Sequence, residues 1–153
     1  MGSAERVRGF KVATAICYDG FRCAHSRSEP GFTPLLPILD RMGVEIVAQP
    51  SANPWPWEDR WIFAEPGDDR LRKEQWLGEG AHSLLAQLGK VTYIVNPQLV
   101  AGFLDVRFEG RSFIFGREGG EVRTLVEART TGAEEVIHAR VIADDRADAA
   151  ASA

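Results

Sequence analysis

The sequence predicts one α/β domain built on a mixed sheet, and two observations carry that prediction. Over the first two thirds of the chain, short β-favouring runs alternate with helical patterns, which calls for parallel strands joined by helical crossovers. After residue 103 the pattern changes to short strands separated by turns, the signature of an antiparallel meander. With 153 residues, 44% of them hydrophobic and 26% charged, the chain has enough apolar material for one core.

Residues 11–18 form a nearly unbroken run of small and β-favouring side chains, Val12, Ala13, Thr14, Ala15 and Ile16, which reads as a central strand covered on both faces. Asp19 and Gly20 end it, and a polar loop closed by Pro30 leads to Gly31. Thr33 offers a cap and Pro34 a first helical position. Leu35, Leu36, Ile38, Leu39 and Met42 give that helix its apolar face, and Gly43 stops it. Residues 44–48 form a second buried strand, followed by the turn-rich segment 50–54 and by Trp55 and Trp57.

Residues 68–77 are charged and amphipathic, and the charge run at 68–74 reads as a solvated helix face. Ala81, Leu84, Leu85 and Leu88 follow helical spacing up to Gly89. A third buried strand at 91–95 ends on Asn96 and Pro97. Strands are then expected at 103–108, 111–116, 121–127 and 135–142, with a turn at Gly119-Gly120. Residues 1–142 read as the domain and 143–153 as a disordered tail without apolar anchors.

Net charge is −4 and the basic residues are scattered, so no stripe exists to neutralise a phosphate backbone and nucleic acid is not an expected partner. No apolar run approaches the roughly 20 residues of a membrane-spanning helix. The start of the chain lacks the apolar stretch of a secretory signal, so a cytoplasmic location is expected. In that reducing compartment the two cysteines, Cys17 and Cys23, are free thiols. Together with His25 they provide three metal donors without a fourth, and no metal site is expected.

In open α/β sheets, ligands sit beyond the carboxyl ends of the strands. Here those ends carry Cys17, then Ser51 to Asn53, then Asn96, so three polar groups converge on one edge. A thiol placed there can attack a carbonyl or nitrile carbon while free backbone amides hold the developing charge. The bland alternative is a buried structural cysteine.

The segment Ala15-Ile16-Cys17-Tyr18-Asp19-Gly20 resembles the nucleophile segment of the nitrilase superfamily of carbon-nitrogen hydrolases. The strand and loop from Gly43-Val44-Glu45-Ile46-Val47 to Pro50-Ser51-Ala52-Asn53, and the strand Tyr93-Ile94-Val95-Asn96-Pro97, resemble the family's next two strands. Phe108-Glu109-Gly110-Arg111-Ser112-Phe113-Ile114, Gly119-Gly120-Glu121-Val122 and Glu135-Val136-Ile137-His138-Ala139-Arg140-Val141 resemble its closing segments. The likeness spans about residues 9–142.

It implies half of a four-layer α-β-β-α sandwich, with helices on one face of the sheet and the other face meant for a second sheet. It also implies Cys17 as the nucleophile, the Tyr18 backbone amide as an oxyanion donor, and Asp19, Ser51, Asn53, Trp55, Trp57 and Asn96 as pocket candidates. No cofactor is implied, and the substrate is a small-molecule amide or nitrile. The family's triad glutamate and lysine lie upstream, in a first half this sequence does not contain, so neither base nor cationic donor is expected here. A homo-oligomer or a complementary chain is the implied partner. The competing expectation is a catalytically silent, truncated remnant that serves as an interaction module.

Two departures from the family stand out: a longer segment at 21–32 with Glu29-Pro30 displaced, and no Arg-Ala-x-Glu-Asn pattern before the third strand, where Glu79 is assigned no role. Trp55 and Trp57 are expected either to line a pocket or to pin a Pro-rich loop. Asp19 either orients its loop or caps a turn. His82 and His138 are expected on solvated surfaces. Cys23, on a loop, is expected to alkylate at least as fast as Cys17.

Overall fold

The computed structural model describes residues 9–25, 29 and 31–141. Its regular elements are β1 (Val12–Thr14), α1 (Leu36–Arg41), β2 (Ile46–Ala48), α2 (Arg72–Glu79), β3 (Tyr93–Asn96), β4 (Ala101–Phe103), β5 (Val106–Phe108), β6 (Phe113–Glu118) and β7 (Glu121–Glu127). Turns of 3-10 helix lie at Cys17–Gly20 and Ala81–Gln87. Five strands make one mixed sheet in the order β1-β2-β3-β6-β7, parallel from β1 to β3 and antiparallel from there on. The mixed α/β class expected from the residues is therefore the class observed, with few helices. No helix among the described residues is long and apolar enough to cross a membrane.

The register explains where the core sits. Ala13, Val47, Ile94 and Phe115 lie side by side across four strands. This row packs with Leu36 and Leu39 of α1, Trp76 of α2, and Leu84 and Leu85 of the second 3-10 turn. Both helices thus cover one face. The alternate rows, such as Thr14, Ala48, Val95 and Ile114, face the other way. At the β1 end this second face is bare: Val12 is 58% exposed and Ile16 63%.

Helix α1 ends in a Schellman arrangement, with Gly43 at φ 77° donating its N–H to Asp40 O and Val44 donating to Leu39 O. The Asp40 carboxylate then accepts the N–H groups of Gly89, Lys90 and Val91, which ties the end of α1 to the approach to β3. Gly119 and Gly120 both have positive φ (60° and 88°), as a two-residue hairpin turn between β6 and β7 requires.

Several expectations are corrected. The first strand is short and lies at the sheet edge, not at its centre; composition reports a local β preference and not how many neighbours a strand has. Thr33 does not cap α1, which starts later with Pro37 in its first turn and no side-chain cap. The helical pattern at 81–88 is a 3-10 turn. The run at 103–108 is broken by Leu104, at φ 53°, into a separate hairpin of β4 and β5. Residues 135–141 form no strand: Val136 is 92% exposed, and Glu135 is occupied with the backbone and side chain of Arg129. The expected tail, 143–153, lies outside the described residues.

Candidate active site

The parallel ladder runs on past the strands and gathers their carboxyl ends. Ala15 donates to Ala48 O and Cys17 to Pro50 O (2.8 Å), while Gln49 donates to Val95 O and Ser51 to Pro97 O. Cys17 sits where the extended backbone turns into 3-10 helix, with φ 47°. A non-glycine residue held there costs about 1–3 kcal/mol, and such strain clusters at functional sites. Its half-buried thiol points at Ala52 O, 3.9 Å away. Among the described residues the following amide, Tyr18 N–H, has no hydrogen-bond acceptor.

The three groups expected at this edge do come together. Asn96 donates from Nδ2 to Gln49 O (2.6 Å) and Ser51 Oγ (3.0 Å), and its Oδ1 accepts from Trp76 Nε1 (3.1 Å). Asn53 donates to Trp55 O and Glu109 O and accepts from Arg72 Nε at 2.8 Å. Ser51, Asn53 and Asn96 are all buried and committed to these bonds. They are part of the frame of the site. Asp19 is exposed in the turn after the cysteine, and its N–H donates to Ile16 O.

Trp57 is 2% exposed and packs in the core near Trp76. Trp55 is half-buried and edge-on to Trp61. His82 is not solvated: it stacks on Phe115 at 4.3 Å, and burial pushes its imidazole down to about 4. His138 is exposed as expected.

The largest departure from the sequence reading is Arg72. Instead of lying on a solvated face, it is 2% exposed, with its guanidinium over the rings of Trp55, Trp61 and Trp76 at 4.2–5.0 Å. Nε bonds Asn53 and Nη1 bonds Gln75 Oε1; no carboxylate pairs with it among the described residues. Burial pushes its pKa down to about 10, while the Cys17 thiolate and the Glu79 carboxylate favour its charge. Arg72 is therefore a buried cation and not part of a solvated face.

The missed residues share one signal. Arg72, Gln75, Trp76 and Glu79 are spaced i, i+3, i+4, i+7, so the tryptophan marks a buried stripe and the three polar residues in phase with it are buried too.

Glu79 is held by Arg70 (2.8 Å) and by Gln75 Nε2 (2.6 Å) and lies against Cys23. Burial, and then Glu79, raise the Cys23 thiol above its ordinary range. His25 is wedged between Tyr18 and Trp61 with its buried Nδ1 unbonded; burial, then Arg72, push it down to about 4. A cleft of about 290 Å³ opens beside His25, Cys23 and Glu79, and Cys17 is not in its wall. Both cysteines are free, and no cluster of metal-binding side chains occurs among the described residues. No protein-family model, no curated protein and no solved structure matches the chain.

Proposed function

We propose that this chain is the nucleophile-bearing part of a thiol carbon-nitrogen hydrolase, acting on a small amide or nitrile in the cytoplasm. The observation that carries the reading is Cys17 itself: a half-buried thiol at φ 47° on the carboxyl edge of a parallel sheet, followed by an amide N–H without an acceptor among the described residues. In the proposed step the thiolate adds to the substrate carbon, the charge passes to the carbonyl oxygen or nitrile nitrogen, and the Tyr18 N–H meets it. With an amide, the tetrahedral adduct expels the amine as it takes up a proton, leaving a thioester that water hydrolyses. A nitrile passes through a thioimidate.

Arg72, with its guanidinium over the rings of Trp55, Trp61 and Trp76, adds a buried positive charge that favours anionic forms in this reading. It is not placed to accept the thiol proton, and Glu79 is held by Arg70 and Gln75. The proton acceptor in this reading is a glutamate of a complementary α/β half, in the same polypeptide or another, that also brings a lysine and covers the bare sheet face at Val12 and Ile16 as a half-sandwich would. Covering apolar surface there contributes about 25 cal/mol per Å².

The test combines this chain with candidate complementary halves and follows ammonia release from primary amides and nitriles. Turnover that disappears in Cys17→Ala and survives in Cys23→Ala supports the reading. Turnover indifferent to Cys17 refutes it. The alternative, a silent interaction module, is favoured by the same bare face and is distinguished by tight association without any Cys17-dependent turnover.

A further inference from the structure

We propose that Gln49 is a positioning residue for the oxyanion donor, an inference that rests on the thiol-hydrolase reading above. Gln49 is 1% exposed, and its Nε2 donates to the carbonyl oxygen of Cys17 at 2.7 Å. A trans peptide carries its C=O and N–H on opposite sides of one plane, and no cis bond occurs among the described residues. Holding the Cys17 carbonyl therefore fixes the direction of the Tyr18 N–H, the amide assigned to the developing charge. The other peptide flanking Cys17 is held by the adjacent residue, since the Cys17 N–H donates to Pro50 O. Both sides of a cysteine at φ 47° are thus clamped from one dipeptide, Gln49-Pro50.

The clamp is itself anchored. The Gln49 N–H donates to Val95 O at 2.7 Å, and its carbonyl accepts from Asn96 Nδ2 at 2.6 Å and Ser51 Oγ at 3.1 Å. Space for the amide depends on Gly20, where an added Cβ would stand 2.3 Å from Gln49 Nε2. Gly20 is not in the left-handed region, so alanine is conformationally allowed there and its effect falls on the Gln49 amide.

The experiment compares two reactions of Cys17 in the full chain, each located by mass spectrometry at a pH of about 8.5, where free thiols are half ionised. Iodoacetamide alkylates the thiolate by displacement and develops no oxyanion. 4-Nitrophenyl acetate acylates it through a tetrahedral oxyanion and expels 4-nitrophenolate. In Gln49→Met, acylation of Cys17 is expected to fall at least about tenfold while alkylation changes less than about twofold, because loss of one oxyanion donor costs roughly a hundred- to a thousandfold. Gly20→Ala, which displaces the amide without removing it, is expected to show the same split, and the double variant to be no worse than Gln49→Met alone.

Equal slowing of both reactions, or unchanged acylation, overturns the role of Gln49. If Gln49→Met does not fold, Gly20→Ala decides by the same split. If the unmodified chain acylates Cys17 no faster than Cys23, the thiol-hydrolase reading fails first.

Discussion

Two half-buried histidines make the stability of this domain acid-sensitive by a calculable amount. Burial lowers both His25 and His82 to about 4 in the folded chain, from 6.5 in the unfolded one. The unfolded state therefore binds more protons than the folded state between about 6.5 and about 4, and stability falls as pH drops through that window. Linkage for one such group gives a loss of about 2 kcal/mol between about pH 7 and about pH 5, at about 1.36 kcal/mol per pKa unit. Solvent screening discounts the less buried His25, so both together lose about 3 kcal/mol, a large part of a typical total of 5–15. The assay is urea unfolding of the chain at the two pH values. His82→Phe, which keeps the stack on Phe115, is expected to lose about 2 kcal/mol less than the parent on acidification. An acid loss in His82→Phe equal to the parent's would refute the reasoning that burial keeps this imidazole neutral.

Substitutions at four other positions separate the roles of neighbouring groups. In Arg72→Met, two charge-assisted bonds of about 1.5–3 kcal/mol each are lost, but so is the cost of several kcal/mol for burying a guanidinium. Urea unfolding is therefore expected to move by less than about 2 kcal/mol. Asp40→Ala removes the acceptor of three amides and is expected to cost about 2 kcal/mol in the same assay, with Asp40→Asn intermediate. Trp57→Ala is expected to cost about 3–5 kcal/mol as a core deletion. Trp55→Ala, which removes one ring beside Arg72, is expected to cost under about 2 kcal/mol by thermal or urea unfolding.

The legible parts of this fold are those decided by local pattern. Gly43 stops α1, Gly119-Gly120 turns β6 into β7, and the three apolar runs form the parallel part of the sheet, because each depends on backbone freedom or on periodicity within a few residues. The edge position of β1 was not legible, since pairing partners lie far along the chain. The break at Leu104 was announced only by Asp105, a single turn residue inside the run at 103–108. At the site, Cys17 and its companions Ser51 and Asn96 could be placed from strand ends. Arg72 could not be placed while its charged neighbours suggested a solvated face. Only the phase of Trp76 shows that Arg72 and Glu79 face inward. Gln49, an unremarkable glutamine after a strand, acquires meaning through a single bond to a carbonyl 32 residues away.

The central claim, that Cys17 and not Cys23 is the chemically competent thiol, is tested most directly by competitive iodoacetamide labelling of the chain near neutral pH, with each adduct quantified by mass spectrometry. Burial and Glu79 raise the Cys23 thiol, so labelling is expected to be faster at Cys17 than at Cys23. Equal labelling, or faster labelling at Cys23, would contradict the account.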